Sequence, residues 1–169
     1  MSDAKDSAKD SAPADDVPFN RDFALKPGIV EEVRPGLRRV LCGNPSPFTF
    51  TGTVSYIVGT GKVAIIDPGP VDEAHAQTLL DAVKGETVTH ILVTHTHKDH
   101  SPGVPRIKQA TGAVVYAEGP HRASRPYFES EKVSTESGAD RAFRPDVELR
   151  DGDMIEGDGW RLEAVTTPG

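Results

Sequence analysis

The sequence predicts an α/β fold. Apolar runs of strand length are separated by Gly/Pro turns, and one segment is apolar at helical period. From Lys62 to Ala117 the order is strand, helix, strand, helix, strand, which calls for helices layered on a sheet. At 169 residues the chain is long enough for one domain with a sizeable core.

Taken in order, residues 1–20 are rich in Ser, Ala, Asp and Lys, and aliphatic residues larger than alanine are missing until Val17. Such a stretch buries too little surface to order itself, and a disordered tail is expected there. Residues 21–169 are expected to form the domain. Arg21 to Gly36, with scattered apolar residues and two prolines, is expected to lie over its edge. Leu37 to Leu41 and Thr53 to Val58 read as strands around the Pro-rich loop Asn44 to Pro47. Gly59-Thr60-Gly61 turns the chain into Lys62 to Asp67, so these last two strands form a hairpin.

Val71 to Lys84 reads as the clearest helix. Ala76, Leu79, Leu80 and Val83 make one stripe, acidic Asp72 and Glu73 favour its start, and Gly85 stops it. His75 is expected on its surface. Thr87 to Thr94 is a buried strand, on which His90 reads as a core or edge histidine. Pro102 to Ala110 reads as a short helix with Pro105 in its first turn and Gly112 at its end, and Ala113 to Ala117 as a further strand. Glu118 to Asp146 is polar and shows no period; His121 reads as an ordinary loop histidine. Val147 to Ile155 and Trp160 to Thr166 read as two strands joined across Gly157-Asp158-Gly159.

A net charge of −7 argues against nonspecific binding to polyanions, and Arg38-Arg39 and the Arg122/Arg125 pair read as solvated faces. With no apolar run of membrane-spanning length and no signal-peptide pattern, no membrane partner is expected and a cytoplasmic location is the default. The single cysteine, Cys42, follows Val40-Leu41 and reads as a buried structural thiol.

Chemistry concentrates in Thr94-His95-Thr96-His97-Lys98-Asp99-His100, where Ile91-Leu92-Val93 ends. In an extended segment His95, His97 and Asp99 point to one side. His100 joins them if the chain turns, and Ser101-Pro102-Gly103 supplies a turn. Imidazoles and carboxylates at this spacing are the donors that zinc prefers; iron and manganese accept them too. Ser101 and Ser55 have no evident base partner in a nucleophile motif. Asp67, closing its strand before Pro68-Gly69, reads equally as turn chemistry or as a carboxylate that orients the histidine loop.

These residues resemble the His-x-His-x-Asp-His signature of the metallo-β-lactamase-fold superfamily. The flanks Val63-Ala64-Ile65-Ile66-Asp67-Pro68-Gly69 and Thr166-Thr167-Pro168-Gly169 are similar to it as well. Asn44-Pro45-Ser46-Pro47-Phe48-Thr49 followed by Gly52-Thr53-Val54-Ser55-Tyr56 looks closest to the beta-lactamase-like protein 2 group. The likeness covers about Leu37 to Gly169. It implies an αββα sandwich and a hydrolase in which a metal-bound hydroxide attacks an ester, thioester, amide or phosphodiester. By resemblance His95 and His97 bind a first zinc and Asp99 and His100 a second. Asp99 also orients the water, and Asp67 supports the loop. The substrate would be a small molecule or RNA.

Family members follow Thr-Pro-Gly with a third histidine, then a bridging aspartate and a late histidine. Gly169 is the last residue here, so the expectation is the N-terminal half of the sandwich. The alternative is a truncated, catalytically incomplete metal-binding fragment. A catalytic zinc ordinarily has three protein ligands, and this chain would supply two per ion.

Overall fold

The computed structural model describes residues 24–122 and 138–167. The expected disordered tail, residues 1–20, lies outside these described residues. Among them are nine strands and two helices: β1 (Val30–Arg34), β2 (Leu37–Leu41), β3 (Val54–Thr60), β4 (Lys62–Ile66), α1 (Glu73–Ala82), β5 (Thr87–Leu92), α2 (Val104–Thr111), β6 (Val114–Ala117), β7 (Val147–Glu148), β8 (Met154–Gly157) and β9 (Trp160–Glu163). Strands β1 to β7 form one sheet in sequence order, and β8 pairs with β9 in a separate ribbon. Pairing is antiparallel from β1 to β4 and parallel from β4 to β7. The change to parallel pairing occurs where helices first intervene, because a parallel neighbour requires a crossover connection.

The pleat sorts the strand residues onto two faces. Val63 and Ile65 of β4 join Ile57, Ile91 and Val115 against Ala76 and Leu79 of α1, Val83 at its C-cap, and Val104 and Ile107 of α2. Ala64 and Ile66 face the other way with Leu92 and Tyr116, and there they meet Ile155, Trp160 and Leu162 of the ribbon. Trp160 locks the ribbon onto the sheet by donating its indole N–H to the Lys62 carbonyl at 3.0 Å. His90 completes this packing between Tyr116 and Trp160, with ring centroids 5.0 and 5.1 Å away, as a core-edge histidine should. The protein is thus α/β: helices on one face of a mixed sheet, a β-ribbon on the other.

Several boundaries differ from the expectation. Arg21 to Gly36 contains the edge strand β1, whose Glu31 receives Arg39 of β2 at 2.6 Å. Its polar Val-Glu-Glu-Val-Arg sequence is mostly exposed, so no apolar alternation announces it. Arg38 is likewise no free solvated side chain. It reaches Glu86 at 2.7 Å and the Ala82 carbonyl at 2.8 Å, capping the end of α1. Val147 to Ile155 is not one strand: β7 ends at Glu148, and a turn at Arg150–Asp153 reverses the chain into β8. Helix α1 starts one residue past its cap, Asp72, whose carboxylate accepts the His75 amide. His75 is buried, not on the surface.

Two outcomes follow from the core. Ile91 is fully buried, so Ile91→Ala should lower the unfolding free energy by about 2–5 kcal/mol in denaturant titration. The Cys42 thiol is pushed up to about 12, by burial first and then by the charge of Asp72. Iodoacetamide should therefore leave the native chain unmodified at neutral pH and label it promptly once unfolded.

Candidate active site

Strands β4 and β5 run parallel, so their C-terminal ends reach the same sheet edge, where α/β sheets bind ligands. Asp67 follows β4 there. Its backbone is in the left-handed region at φ 52°, one of the few conformations in which an aspartate outperforms most side chains. Its amide donates to the Leu92 carbonyl at 2.8 Å. Its buried carboxylate receives three bonds: the Thr94 amide on Oδ1 at 2.8 Å, and the Thr94 hydroxyl and His100 Nδ1 on Oδ2 at 2.7 and 2.9 Å.

The histidine loop turns earlier than its sequence suggested. The amides of His100 and Ser101 both donate to the His97 carbonyl, at 3.0 and 3.2 Å, so the chain is not extended through Asp99. That turn swings His100 back over His95, with ring centroids 4.0 Å apart, while the His97 ring stands edge-on to His95 at 4.7 Å. Asp99 Oδ2 lies 3.2 Å from His100 Nε2 and accepts the Thr53 hydroxyl at 3.1 Å. Asn44 brackets Thr53, accepting its amide on Oδ1 and donating from Nδ2 to its hydroxyl, which ties the Pro-rich loop to the site.

Hydrogen counting assigns tautomers. Thr94 has one hydroxyl hydrogen, and the Asp67 carboxylate can only accept it. The 3.0 Å contact between Thr94 Oγ1 and His95 Nδ1 must then be donated by His95, which leaves a lone pair on its Nε2. Burial, then the neighbouring His100 and His97, lowers the His95 pKa and keeps that lone pair available. At His100, burial alone would lower the pKa. The hydrogen bond to Asp67 and the charges of Asp67 and Asp99 outweigh it and raise the pKa above its ordinary value.

The donor types suit a zinc-like cation, and the nitrogens fixed by second partners are the Nδ1 atoms of His95 and His100, as metal-binding histidines require. The grouping is not closed, however. Among the described residues no three His, Cys, Asp or Glu side chains stand disposed to hold one metal ion. All four predicted donors, His95, His97, Asp99 and His100, lie in one contiguous cluster above Asp67.

Several contributors escaped the sequence reading. His121, expected as a plain loop residue, meets Thr96 Oγ1 through Nδ1 at 2.8 Å and faces the same groove as His95 and His97. Gly138 to Asp140 clamps the loop from outside: the Lys98 amide donates to the Gly138 carbonyl, the Asp140 amide to the Thr96 carbonyl, and the Ser101 hydroxyl to Asp140 Oδ2. No local pattern marks these partners; only sequence-distant pairing reveals them. Ser55 lies 2.8 Å from His75 Nε2, a buried contact that the sequence spacing does not announce. Beside the cluster opens a groove of about 740 Å³, floored by Ile66, Leu92, Leu149, Ile155 and Leu162.

Comparison with known proteins gives this geometry a context. Residues 48–169 match the family model described as the metallo-beta-lactamase superfamily. Lactamase-like protein adaB of Aspergillus niger is 32% identical over 143 residues, covering 83% of this chain and 39% of that protein. The atrochrysone carboxyl ACP thioesterase of Passalora fulva is 33% identical over 120 residues, covering 68% of this chain and 36% of that protein. The chain thus spans less than half the length of these relatives. Among solved structures, a metallo-beta-lactamase of Cronobacter sakazakii with a HARLDQ motif superposes with a TM-score of 0.60 at 21% identity, covering 83% of this chain and 55% of that one.

In the metal-free chain, NMR titration should place His100 above an ordinary imidazole and His95 below it. Because the folded His100 value is raised, its ion pairs stabilise the fold below about pH 6.5, and that contribution fades as pH rises through the folded value. Asp67→Asn should bring the His100 midpoint down.

Proposed function

This chain belongs to the metallo-beta-lactamase superfamily, and on that footing we propose that it carries the metal-binding loop of a zinc-dependent hydrolase acting on a thioester. The observation that supports it most is the cluster of His97 and His100 rings on His95, with Asp99 beside His100 and the Asp67 carboxylate bonding His100 Nδ1. Under this reading His95 and His97 hold one zinc, and Asp99 and His100 a second. Bound zinc would acidify water to a pKa of about 7 and polarise the carbonyl under attack.

The chain's own residues do the rest. Asp67 Oδ2 holds the His100 Nδ1 proton, so the ring presents Nε2 to the site. Thr94 does the same for His95 through its hydroxyl oxygen. Asp99 Oδ2, steadied by the Thr53 hydroxyl, is the acceptor placed to orient an attacking water. The apolar groove beside His95 and His97 takes the acyl part of the substrate and excludes water from it.

A thioester is favoured among the superfamily's substrates because relatives carry the name acyl-carrier-protein thioesterase and because the groove floor is aliphatic. RNA has less support. The groove walls carry Glu118 and Glu163 against one arginine, Arg122, which is already paired with Glu118. A second reading, a metal-binding chain with no turnover of its own, is favoured by the absence of any three-donor group among the described residues.

Metal analysis and a thiol-release assay separate the two. The protein should hold zinc tightly and hydrolyse acyl thioesters until a chelator is added. His97→Ala should reduce that rate by about a hundredfold or more. Full activity in the variant would refute the role given to His97, and a zinc-loaded protein without turnover would favour the second reading.

A further inference from the structure

A buried pair beneath the site has no part in the chemistry described so far. Ser55 on β3 and His75 on α1 are both enclosed, at 0% and 4% exposure. The Ser55 hydroxyl donates to the main-chain carbonyl of Asp67 and lies 2.8 Å from His75 Nε2. A serine hydroxyl has one hydrogen, and the carbonyl has none to offer, so that hydrogen goes to Asp67. His75 must therefore donate Nε2–H to Ser55. Its Nδ1 is left as an unprotonated, fully enclosed nitrogen with no hydrogen-bond partner among the described residues. Protonating it would bury an N–H with no acceptor, so the ring is neutral, and burial lowers its pKa accordingly.

A methionine or leucine would fill this space without an orphaned nitrogen. What the imidazole adds is one N–H, and the chain His75 → Ser55 → Asp67 carbonyl delivers it to the residue with the left-handed backbone. The same ring closes the floor under the next turn: a Cβ on Gly69 would lie 2.9 Å from His75 Cδ2. That turn in turn meets the histidine loop, since the Gly69 amide donates to the His100 carbonyl at 3.0 Å.

We propose that His75 and Ser55 are positioning residues: through the Asp67 carbonyl they hold its backbone in the conformation from which its carboxylate reaches Thr94 and His100. Only the consequence for metal affinity rests on the function proposed above.

The test uses the metal-free chain and two NMR signals that a purely space-filling role would not move. One is the exchangeable His100 Nδ1–H resonance, shifted downfield by its carboxylate partner. The other is the hydrogen-exchange protection of the Thr94 amide, which bonds Asp67 Oδ1. His75→Met, which keeps volume but no N–H, should broaden or lose both. His75→Gln, which keeps a donor, should retain them. Ser55→Ala, which removes one oxygen from a fully buried site, should behave like His75→Met.

If His75→Met fails to fold, Ser55→Ala decides. Unchanged signals in Ser55→Ala, or equal behaviour of the Met and Gln variants, would overturn the proposal. Competition with a chromophoric chelator should then show zinc held about 10-fold or more weakly in His75→Met and within about threefold of wild type in His75→Gln. A wild-type chain that binds no zinc, with the NMR signals responding as described, would sink the hydrolase reading and leave this inference standing.

Discussion

One buried carboxylate organises the active end of this molecule. Asp67 gathers the Thr94 amide, the Thr94 hydroxyl and His100 Nδ1, and each of those bonds fixes a different part of the histidine loop. The amide fixes where the loop leaves the sheet. The hydroxyl, once its hydrogen is committed to Asp67, fixes the tautomer of His95. The imidazole bond fixes which nitrogen of His100 faces outward. A carboxylate in a dry environment makes such charge-assisted bonds strong and makes their loss costly, so the three groups move as a unit or not at all.

The sheet explains how Asp67 comes to that place. Parallel pairing of β4 and β5 brings Asp67 and Thr94 to the same edge. Helix α1 then returns under the edge and carries His75 beneath the turn, while α2 begins directly after the histidine loop and anchors it through Val104 and Ile107. Close approach of the two turns demands small residues. A Cβ on Gly103 would stand 2.6 Å from the Pro68 carbonyl oxygen, so the loops can interlock only around glycine. The apolar face opposite the helices receives the β8–β9 ribbon, and in the groove between ribbon and histidine loop aliphatic surface adjoins metal-type donors.

Most of the architecture was legible because it is local. The Val63-Ala64-Ile65-Ile66 and Ile91-Leu92-Val93 runs, the α1 stripe, and Gly112 as a left-handed cap at φ 70° each state their structure within a few residues. Strand β1 was missed because an exposed edge strand buries almost no apolar face. Residues 147–155 were merged into one strand although Asp151-Gly152 is turn chemistry; left-handed Gly152, at φ 82°, makes the reversal. In His75 the same limit appears in a side chain: on a helical wheel it is a polar residue beside the stripe, and only the β3 side chain of Ser55 gives it a reason to be inside.

By itself, the sequence determined the α/β class, the helix stripe, and the concentration of imidazoles and carboxylates after Val93, because periodicity and residue chemistry are properties of neighbouring positions. Tertiary structure alone decided which nitrogen each histidine presents, the turn at His97 that stacks His100 on His95, the pairing of His121 with Thr96, and the burial of His75 under Asp67. Most of these rest on contacts between residues 20 or more positions apart: His121 with Thr96, His75 with Ser55, and Asp67 with Thr94 and His100. A hydrogen bond across that distance leaves no trace in spacing; it exists only once the sheet has brought its partners together.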